Sequence, residues 1–392
     1  MDYQGTISRG LRAPIIRQGD DLVQIVADSV TNASKTHGFE LHDKDVVAVT
    51  EAVVARAQGN YVSCDDIAKD VANKFGDETV GVLFPIFSRN RFSLILKGIA
   101  MGAKKVVVQL PYPSDEVGNS FITLDDLDQS GINPYTDVFT AESFHKTFPN
   151  TKHIFTGVDY INYYQELCGA NCEIILANNP REILKHTKHV VCACIHSRHR
   201  TKKVLLQAGA EKVLNLEELM DKPIDGSGFN SEYGVLGSNM ATDNTLKLFP
   251  RDCTKFAYDL QAELLKRTGK KFECMVYGDG AFKDPVGKIW ELADPVCSPG
   301  FTDGLVGTPN EIKLKYVADN TIANLDGDEA TAKMKEIIKQ KDADLKGTIL
   351  SQGTTPRQLT DLLASLSDLT SGSGDKGTPF ILIQNYFKNF AD

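Results

Sequence analysis

The 392-residue sequence lacks any apolar run of the roughly 20 residues that a membrane-crossing helix needs. Its beginning, MDYQGTISRG, lacks the apolar core of a secretory signal. It also lacks a large excess of one charge, since 43 basic and 52 acidic side chains are mixed along the chain and give a net charge of -9. These absences argue against membrane, secreted and nucleic-acid-binding proteins. We therefore expect a cytoplasmic protein.

Regular cysteine spacing and familiar catalytic motifs are missing as well. The eight cysteines lie mostly in apolar stretches without a framework spacing, so reduced thiols are expected rather than disulfides. The sequence has neither a G-x-S-x-G nucleophile elbow nor a Walker loop, G-x-x-x-x-G-K-[ST]. Serine hydrolase chemistry is therefore disfavoured, and a bound nucleotide would need a different phosphate site.

The sequence does contain enough hydrophobic residues, 42%, to bury the cores of two domains. The apolar spacing predicts a helix over residues 20–32, followed by a buried, strand-like segment over 46–59. Residues 61–230, called the central segment below, alternate short strands with helices, as in a parallel sheet with crossover helices. Its candidate strands are 80–84, 105–109, 153–156, 172–176, 189–195 and 212–215, and its candidate helices are 88–101 and 181–186.

Residues from 231 onward have a different pattern of predicted helices and strands. They predict helices over 254–268 and 355–366 and strands over 272–280 and 380–384, with the short stretch SGSGDKG as a tight loop between the last two elements. We therefore predict an α/β protein of two domains. A mixed-sheet, α+β catalytic domain would comprise residues 1–60 and 231–392, and an inserted α/β domain with a largely parallel sheet would comprise 61–230.

Two aspartates are candidate metal ligands. They are Asp243 in LGSNMATDN and Asp279 at the end of the apolar stretch MVYGDG. Hard divalent cations prefer carboxylate oxygens, and magnesium usually takes one or two of them beside nucleotide phosphates. The alternative is that both aspartates only stabilise turns, which is a common use of Asp next to Gly.

Two cationic positions suggest anion binding. In PIIRQGDDL, Arg17 precedes a helix whose first amides could meet an anion, or Asp20 or Asp21 could simply cap that helix. Arg56 stands among apolar neighbours in segment 46–59. A buried cation there would need a phosphate, a carboxylate or an internal salt bridge as its partner.

The segment CACIHSRH offers two alternatives. Cys192, Cys194 and His196 would share one face of a strand, as zinc ligands could, although the spacing differs from known zinc motifs. Otherwise the cysteines are buried, and a basic patch at the strand end could reach an acidic ligand. This patch would consist of His196, Arg198, His199 and Arg200.

Five blocks together resemble the coenzyme F420-0:L-glutamate ligase family. In chain order they are PIIRQGDDL, VVAVTEAVVARAQG, LGSNMATDN, TGKKFECMVYGDG and SGSGDKGTPFILI. The resemblance extends over residues 1–60 and 231–392, whereas the central segment has no counterpart in it, so the chain would be a longer relative of the family with an inserted domain. The resemblance implies a ligase that uses GTP, or ATP, and Mg²⁺ or Mn²⁺ to join L-glutamate to the carboxylate of F420-0 through an acyl phosphate. It also implies a homodimer and makes K⁺ a further candidate cation.

Three alternatives to this activity stay open. The acceptor could be folate-like, or the chain could be a different nucleotide-dependent transferase whose substrate binds to the central segment. The chain could also be an inactive, nucleotide-binding regulatory module, because Ser373 stands where the family has a metal-binding glutamate in its glycine-rich loop.

The resemblance assigns roles to individual residues. The catalytic set would be Asp243, Asp279 and Arg56, and the metal set Asp243, Asp279, Gly280 and Asp375, with Asp375 substituting for the missing glutamate. The nucleotide would be contacted by Pro14, Ile15, Ile16, Arg17, Glu51, Asn244, Gly372 and Gly374. Arg56 replaces a lysine of the family, and Glu51 and Ala52 replace small hydroxyl residues, which leaves the choice between GTP and ATP open.

Overall fold

The computed structural model describes residues 3–154, 156–278, 297–354, 357–371 and 375–392. Helices pack on mixed and parallel sheets, which confirms the predicted α/β class. The strands are β1 Ile7–Leu11, β2 Val46–Thr50, β3 Tyr61–Ser63, β4 Thr79–Leu83, β5 Lys105–Leu110, β6 Phe139–Thr140, β7 Cys172–Leu176, β8 His189–Cys192, β9 Lys212–Asn215, β10 Asn239–Thr242, β11 Thr245–Lys247, β12 Glu273–Gly278, β13 Cys297–Phe301 and β14 Phe380–Gln384.

The α-helices of these ranges vary widely in length. They are α1 Leu22–His37, α2 Glu51–Gln58, α3 Cys64–Phe75, α4 Ser93–Gly102, α5 Leu124–Ser130, α6 Ala141–Thr147, α7 Tyr160–Cys168, α8 Arg198–Gln207, α9 Cys253–Thr268, α10 Leu314–Asn320, α11 Gly327–Lys339 and α12 Leu359–Ser371. Within the described residues, no helix combines the length and the apolar character that a bilayer span requires.

A five-stranded sheet in the order β1-β14-β2-β12-β13 is built from both ends of the chain. β2 and β12 pair in parallel, whereas the other neighbours are antiparallel. Val47 and Val49 of β2 pack in one core with α1 and α9, and Val46 and Ala48 pack in a second core with α12. Because successive side chains alternate between the two faces, a strand buried on both faces has a continuous apolar sequence.

A six-stranded sheet in the order β6-β7-β5-β4-β8-β9 lies in the central segment. Its neighbours are parallel except for β6, which pairs antiparallel with β7 at one edge. From β4 the chain runs outward to β5 and β7, and it then returns to place β8 and β9 on the other side of β4. This is the order of a doubly wound sheet, and it confirms the predicted largely parallel sheet. The domain boundaries stay a prediction.

A three-stranded antiparallel sheet, β10-β11-β3, connects these two regions and is called the junction sheet below. β3 follows α2 and leads directly into α3 of the central segment. Lys247 of β11 lies opposite Tyr61 of β3, and Asn239 of β10 lies opposite Lys247. The junction sheet therefore joins the first strand of the central segment to two strands that follow this segment in the sequence.

Several predicted boundaries were wrong. Residues 46–59 divide into β2 and α2, because Thr50 keeps an extended backbone, Glu51 begins a helix and Gly59 ends it in the left-handed conformation. Of residues 153–156, the described ones form a loop in which the N–H of Thr156 donates to His153 Nδ1 (3.0 Å) instead of to a strand. The predicted helix over 181–186 is a 3-10 helix, Pro180–Lys185, which begins at a proline.

Other predictions were confirmed. The strands predicted over 172–176, 212–215 and 380–384 coincide with β7, β9 and β14. The first helix begins at Leu22, and the N–H of Gln24 donates to Asp21 Oδ1 (3.2 Å). The capping interpretation of this segment is therefore confirmed.

Asp115, in the loop after β5, is a buried carboxyl group that holds two loops together. It accepts hydrogen bonds from the N–H of Phe87 (2.8 Å), which follows β4, and from the N–H groups of Val117 (3.1 Å) and Asn119 (2.9 Å) in its own loop. Burial raises the pKa of Asp115 to about 6, although these donors favour the charged form.

Replacing Gly102 with Ala should destabilise the contact between α4 and α3. An added Cβ would overlap the main-chain oxygen of Ala68, and neither backbone can move freely in a packed core. We expect the free energy of unfolding to fall by about 1–3 kcal/mol, measured by denaturant titration. The matched control is Gly5→Ala, where nothing lies within 4 Å of the added Cβ. Equal stability of the two variants would contradict this packing.

Asp115 should make the stability of the chain depend on pH. The raised pKa means that the protonated carboxyl is favoured in the folded chain, so its contribution is complete below the ordinary pKa of 3.8 and is lost as the pH rises through about 6. From a shift of about two units we expect a loss of about 3 kcal/mol at most. Asp115→Asn should remove this slope, whereas the exposed Asp125→Asn should not. The same slope in wild type and Asp115→Asn would contradict the assignment.

Candidate functional site

A cavity of about 910 Å³ opens where β2 and β12 end at one edge of the five-stranded sheet. Its walls are the loop 13–16, the start of α2, the end of α12 with residues 377–379, and two residues of the junction sheet. The parallel register places Thr50 of β2 opposite Tyr277 of β12, so both strands deliver their last residues to this edge. The predicted site residues that line the cavity are Pro14, Ile15, Ile16, Glu51 and Arg56.

Arg56 lies on α2, so the predicted strand at this position was wrong. In the helix its position turns outward, and the side chain is exposed. Its Nε donates a hydrogen bond to the main-chain oxygen of Ile16 (2.6 Å). Arg56 therefore fixes the loop 13–16 against α2 while it lines the cavity.

Glu51, the first residue of α2, forms a largely buried ion pair in the cavity wall. Its Oε1 lies 3.1 Å from Nζ of Lys247, and the two side chains are 7% and 14% exposed. A carboxylate in the first turn of a helix is also favoured by the helix dipole. The side chain of Glu51 lies directly against Gly278, the last residue of β12, where an added Cβ would overlap Cγ of Glu51. Gly278 is thus required for close packing of α2 on β12.

Four predicted residues lie outside the residues that line this cavity. Asp243 is exposed in the turn between β10 and β11, as the turn interpretation expected. Asn244 beside it contacts the central segment, since its Oδ1 accepts a hydrogen bond from Lys97 Nζ (3.3 Å). Arg17 and Asp375 are exposed, and the N–H of Arg17 donates to the carboxylate of Asp20 (2.6 Å).

Four other predicted residues, namely Asp279, Gly280, Gly372 and Gly374, lie outside the described residues. Their chain neighbours Gly278 and Ser371 both line the cavity. The convergence of Asp243 and Asp279 on one cation therefore stays a prediction.

The described residues contain no group of three or more His, Cys, Asp or Glu side chains that could hold a metal ion. Of the two carboxylates that line the cavity, Glu51 is already paired with Lys247, and Asp368 lies near the end of α12.

The segment CACIHSRH leads from β8 into a basic turn that Glu116 and Glu217 contact. Cys192 and Cys194 are free and buried, whereas His196 is exposed, so the three side chains do not meet as zinc ligands. The carboxylate of Glu116 accepts hydrogen bonds from the N–H groups of His196 (3.1 Å) and Ser197 (3.2 Å). In addition, Arg198 pairs with Glu217 (2.9 Å). The zinc hypothesis was wrong for these described residues.

A second concave region, of about 940 Å³, lies between residues 308–311 and 343–354. None of the described predicted site residues lines it. It is formed by loops next to α10 and α11 and contains a mixture of polar and apolar side chains. The predicted residues thus favour the cavity at the ends of β2 and β12.

Two residues of the cavity wall, Lys247 and Asn239, were missed in the sequence. Asn239 stands in the block LGSNMATDN, whose aspartate drew attention instead, and Lys247 follows it in a short strand. The alternation of β11 offered a signal, since Leu246 is buried and its neighbours therefore face the other way. What sequence alone could not give is the pairing that brings Lys247 to Glu51, because these residues are far apart in the chain.

Comparison with known proteins gives one family match. A family model described as F420-0:Gamma-glutamyl ligase matches residues 10–385. The matched range runs through the central segment as well, which the separate blocks had left without a counterpart. No curated protein matches the chain.

Replacing Gly278 with Ala should disturb Glu51 specifically. Because the added Cβ would overlap Glu51 Cγ, we expect a loss of about 1–3 kcal/mol in the free energy of unfolding. Combining Gly278→Ala with Glu51→Ala should cost less than the sum of the two single changes, because the clash is gone. Denaturant titration of the wild type, the two single variants and the double variant measures this coupling. Strictly additive effects would contradict the contact.

Proposed function

Since the chain belongs to the F420-0:gamma-glutamyl ligase family, we propose that it uses a nucleoside triphosphate to join L-glutamate to the carboxylate of F420-0 in the cavity at the ends of β2 and β12. The observation that carries this proposal is the convergence of Pro14, Ile15, Ile16, Glu51 and Arg56 on one cavity. These residues come from two separate blocks of the resemblance, which assigns Pro14, Ile15, Ile16 and Glu51 to nucleotide contact and Arg56 to the catalytic set.

The size and lining of the cavity support a nucleotide. About 910 Å³ lies within the range of small-molecule sites. Ile15 is 79% exposed at the cavity, so an apolar surface is available to the flat face of a base. GTP is the nucleotide that the resemblance favours.

Arg56 supports phosphate binding in the same place. Its Nε donates to Ile16, and the exposed side chain lines the cavity, where the remaining guanidinium N–H groups can donate to phosphate oxygens. A guanidinium in place of the family's lysine keeps the positive charge and adds a planar, bidentate geometry.

The proposed reaction has two steps. A carboxylate oxygen of the acceptor attacks the γ-phosphorus, the bond to the β-γ bridging oxygen breaks, and an acyl phosphate and the nucleoside diphosphate result. The amine of glutamate then attacks the acyl carbon, phosphate leaves with the C–O bond electrons, and the amine loses a proton to give the amide. In this scheme Arg56 orients the phosphates, and the cavity wall brings the reacting groups together.

Mg²⁺ or Mn²⁺ would neutralise phosphate charge in such a reaction. Metal binding by Asp243, Asp279, Gly280 and Asp375 stays a prediction from the resemblance, because Asp279 and Gly280 lie outside the described residues. K⁺, ATP as the alternative nucleotide, homodimer formation and a cytoplasmic location also stay predictions.

The activity is tested by supplying GTP or ATP, Mn²⁺, L-glutamate and F420-0 to the full chain. We expect phosphate release only when glutamate and F420-0 are both present, and a product heavier than F420-0 by one glutamyl residue in mass spectrometry. Product from a folate but not from F420-0 would contradict the acceptor. Nucleotide binding without product from any acceptor would favour the regulatory module.

Arg56→Ala should weaken nucleotide binding, because the guanidinium both contacts the cavity and holds the loop 13–16. We expect the KM for the nucleotide to rise about tenfold or more, as for the loss of a charge-assisted hydrogen bond. Arg56→Lys should recover part of this loss, since it restores the charge without the Nε donor. The exposed Lys255→Ala on α9 is the control. An unchanged KM in Arg56→Ala would contradict the phosphate role.

A further inference from the structure

The junction sheet presents a polar pair to the cavity that is separate from the proposed nucleotide loops. Asn239 and Lys247 lie directly opposite each other on β10 and β11, and both line the cavity. Directly opposite residues of an antiparallel pair share one face of the sheet. Amide and ammonium groups therefore stand side by side on one wall.

Lys247 is well placed to bind an anion. Its side chain is only 14% exposed, and Nζ is held 3.1 Å from Glu51, so the ammonium is partly withdrawn from bulk water yet borders the open cavity. Electrostatic attraction between such a group and an entering carboxylate is stronger than it would be in water.

The cations of the cavity lie on different sides of α2. Arg56 bonds to the loop 13–16, whereas Glu51 contacts Lys247 of the junction sheet. Residues 51 and 56 are five positions apart, which corresponds to about 140° around a helix of 3.6 residues per turn. One cavity thus offers a cation beside the proposed nucleotide loop and a second one on the junction sheet.

We infer that Lys247, with Asn239 beside it, binds the carboxylate of the acceptor, while the Arg56 side receives the nucleotide. This inference rests on the proposed function. The reaction brings a carboxylate next to a triphosphate, and two anions approach each other readily only when each has its own cation. An ammonium group has three N–H donors, so Lys247 can bind the acceptor carboxylate while it keeps its bond to Glu51.

The central segment would position this acceptor wall. The main-chain oxygen of Asn90, in the loop after β4, accepts from the N–H of Met240 (2.8 Å), and Asn90 Nδ2 donates to Asn239 Oδ1 (3.1 Å). The loop after β4 therefore holds β10 in place, so a change in the central segment can alter acceptor binding without touching the nucleotide loop.

The test compares the affinities of the full chain for F420-0 and for GTP, each measured by calorimetry. Lys247→Met should raise the Kd for F420-0 about tenfold or more and raise the Kd for GTP by a clearly smaller factor, whereas Lys247→Arg should restore most of the F420-0 affinity. Loss of GTP affinity instead, or unchanged F420-0 affinity, would overturn the assignment.

Asn239→Ala keeps the test informative if Lys247→Met fails to fold, because Asn239 is not part of the ion pair. It should weaken F420-0 binding by about threefold to tenfold. The matched control Asn90→Ala breaks the same inter-residue hydrogen bond but removes no atom that lines the cavity, and it should weaken binding less. Equal losses of F420-0 affinity in Asn239→Ala and Asn90→Ala would overturn the proposed direct contact between Asn239 and the acceptor. A wild-type chain that neither binds nor converts F420-0 would instead contradict the proposed function itself.

Discussion

The parallel pairing of β2 with β12 is the constraint on which the candidate site depends. It places Thr50 opposite Tyr277, so that both strands end at one edge and α2 can begin immediately beside Gly278. Parallel strands direct their carboxyl ends to the same edge, and that edge is where open α/β sheets commonly bind ligands. The two strands are separated in sequence by the whole central segment, so the site exists only when the two parts of the five-stranded sheet have paired.

Glu51 connects the paired strands to the charged groups that line the cavity. It starts α2, packs on Gly278 and reaches Lys247 of the junction sheet. The same short helix carries Arg56, which holds the loop 13–16. Through these contacts the five-stranded sheet, the junction sheet and the N-terminal loop form one cavity, and a proposed two-anion reaction would find a separate cation on each side of α2.

Sequence patterns predicted the elements that are governed by local rules. β14 is a run of apolar residues buried on both faces, and the start of α1 follows from capping by Asp21. The division of residues 46–59 was not predicted, because Val53 and Val54 suit a strand and only Thr50 and Gly59 mark the helix ends.

The candidate site was predicted in part for the same physical reason. Pro14, Ile15 and Ile16 stand together in a distinctive block, whereas Lys247 acquires its role only through its pairing with Glu51 across the fold. Local sequence cannot encode such a long-range contact in a recognisable form. Asn244 shows another long-range contact of this kind, since it accepts a hydrogen bond from Lys97 of the central segment.

The most direct measurement is a crystal structure of the chain with Mn²⁺, a non-hydrolysable GTP analogue and F420-0. The account predicts the triphosphate beside Arg56 and the loop 13–16, the acceptor carboxylate at Lys247, and the anomalous signal of manganese at the edge where β2 and β12 end. Ligands bound in the region between residues 308–311 and 343–354, with this cavity empty, would contradict it.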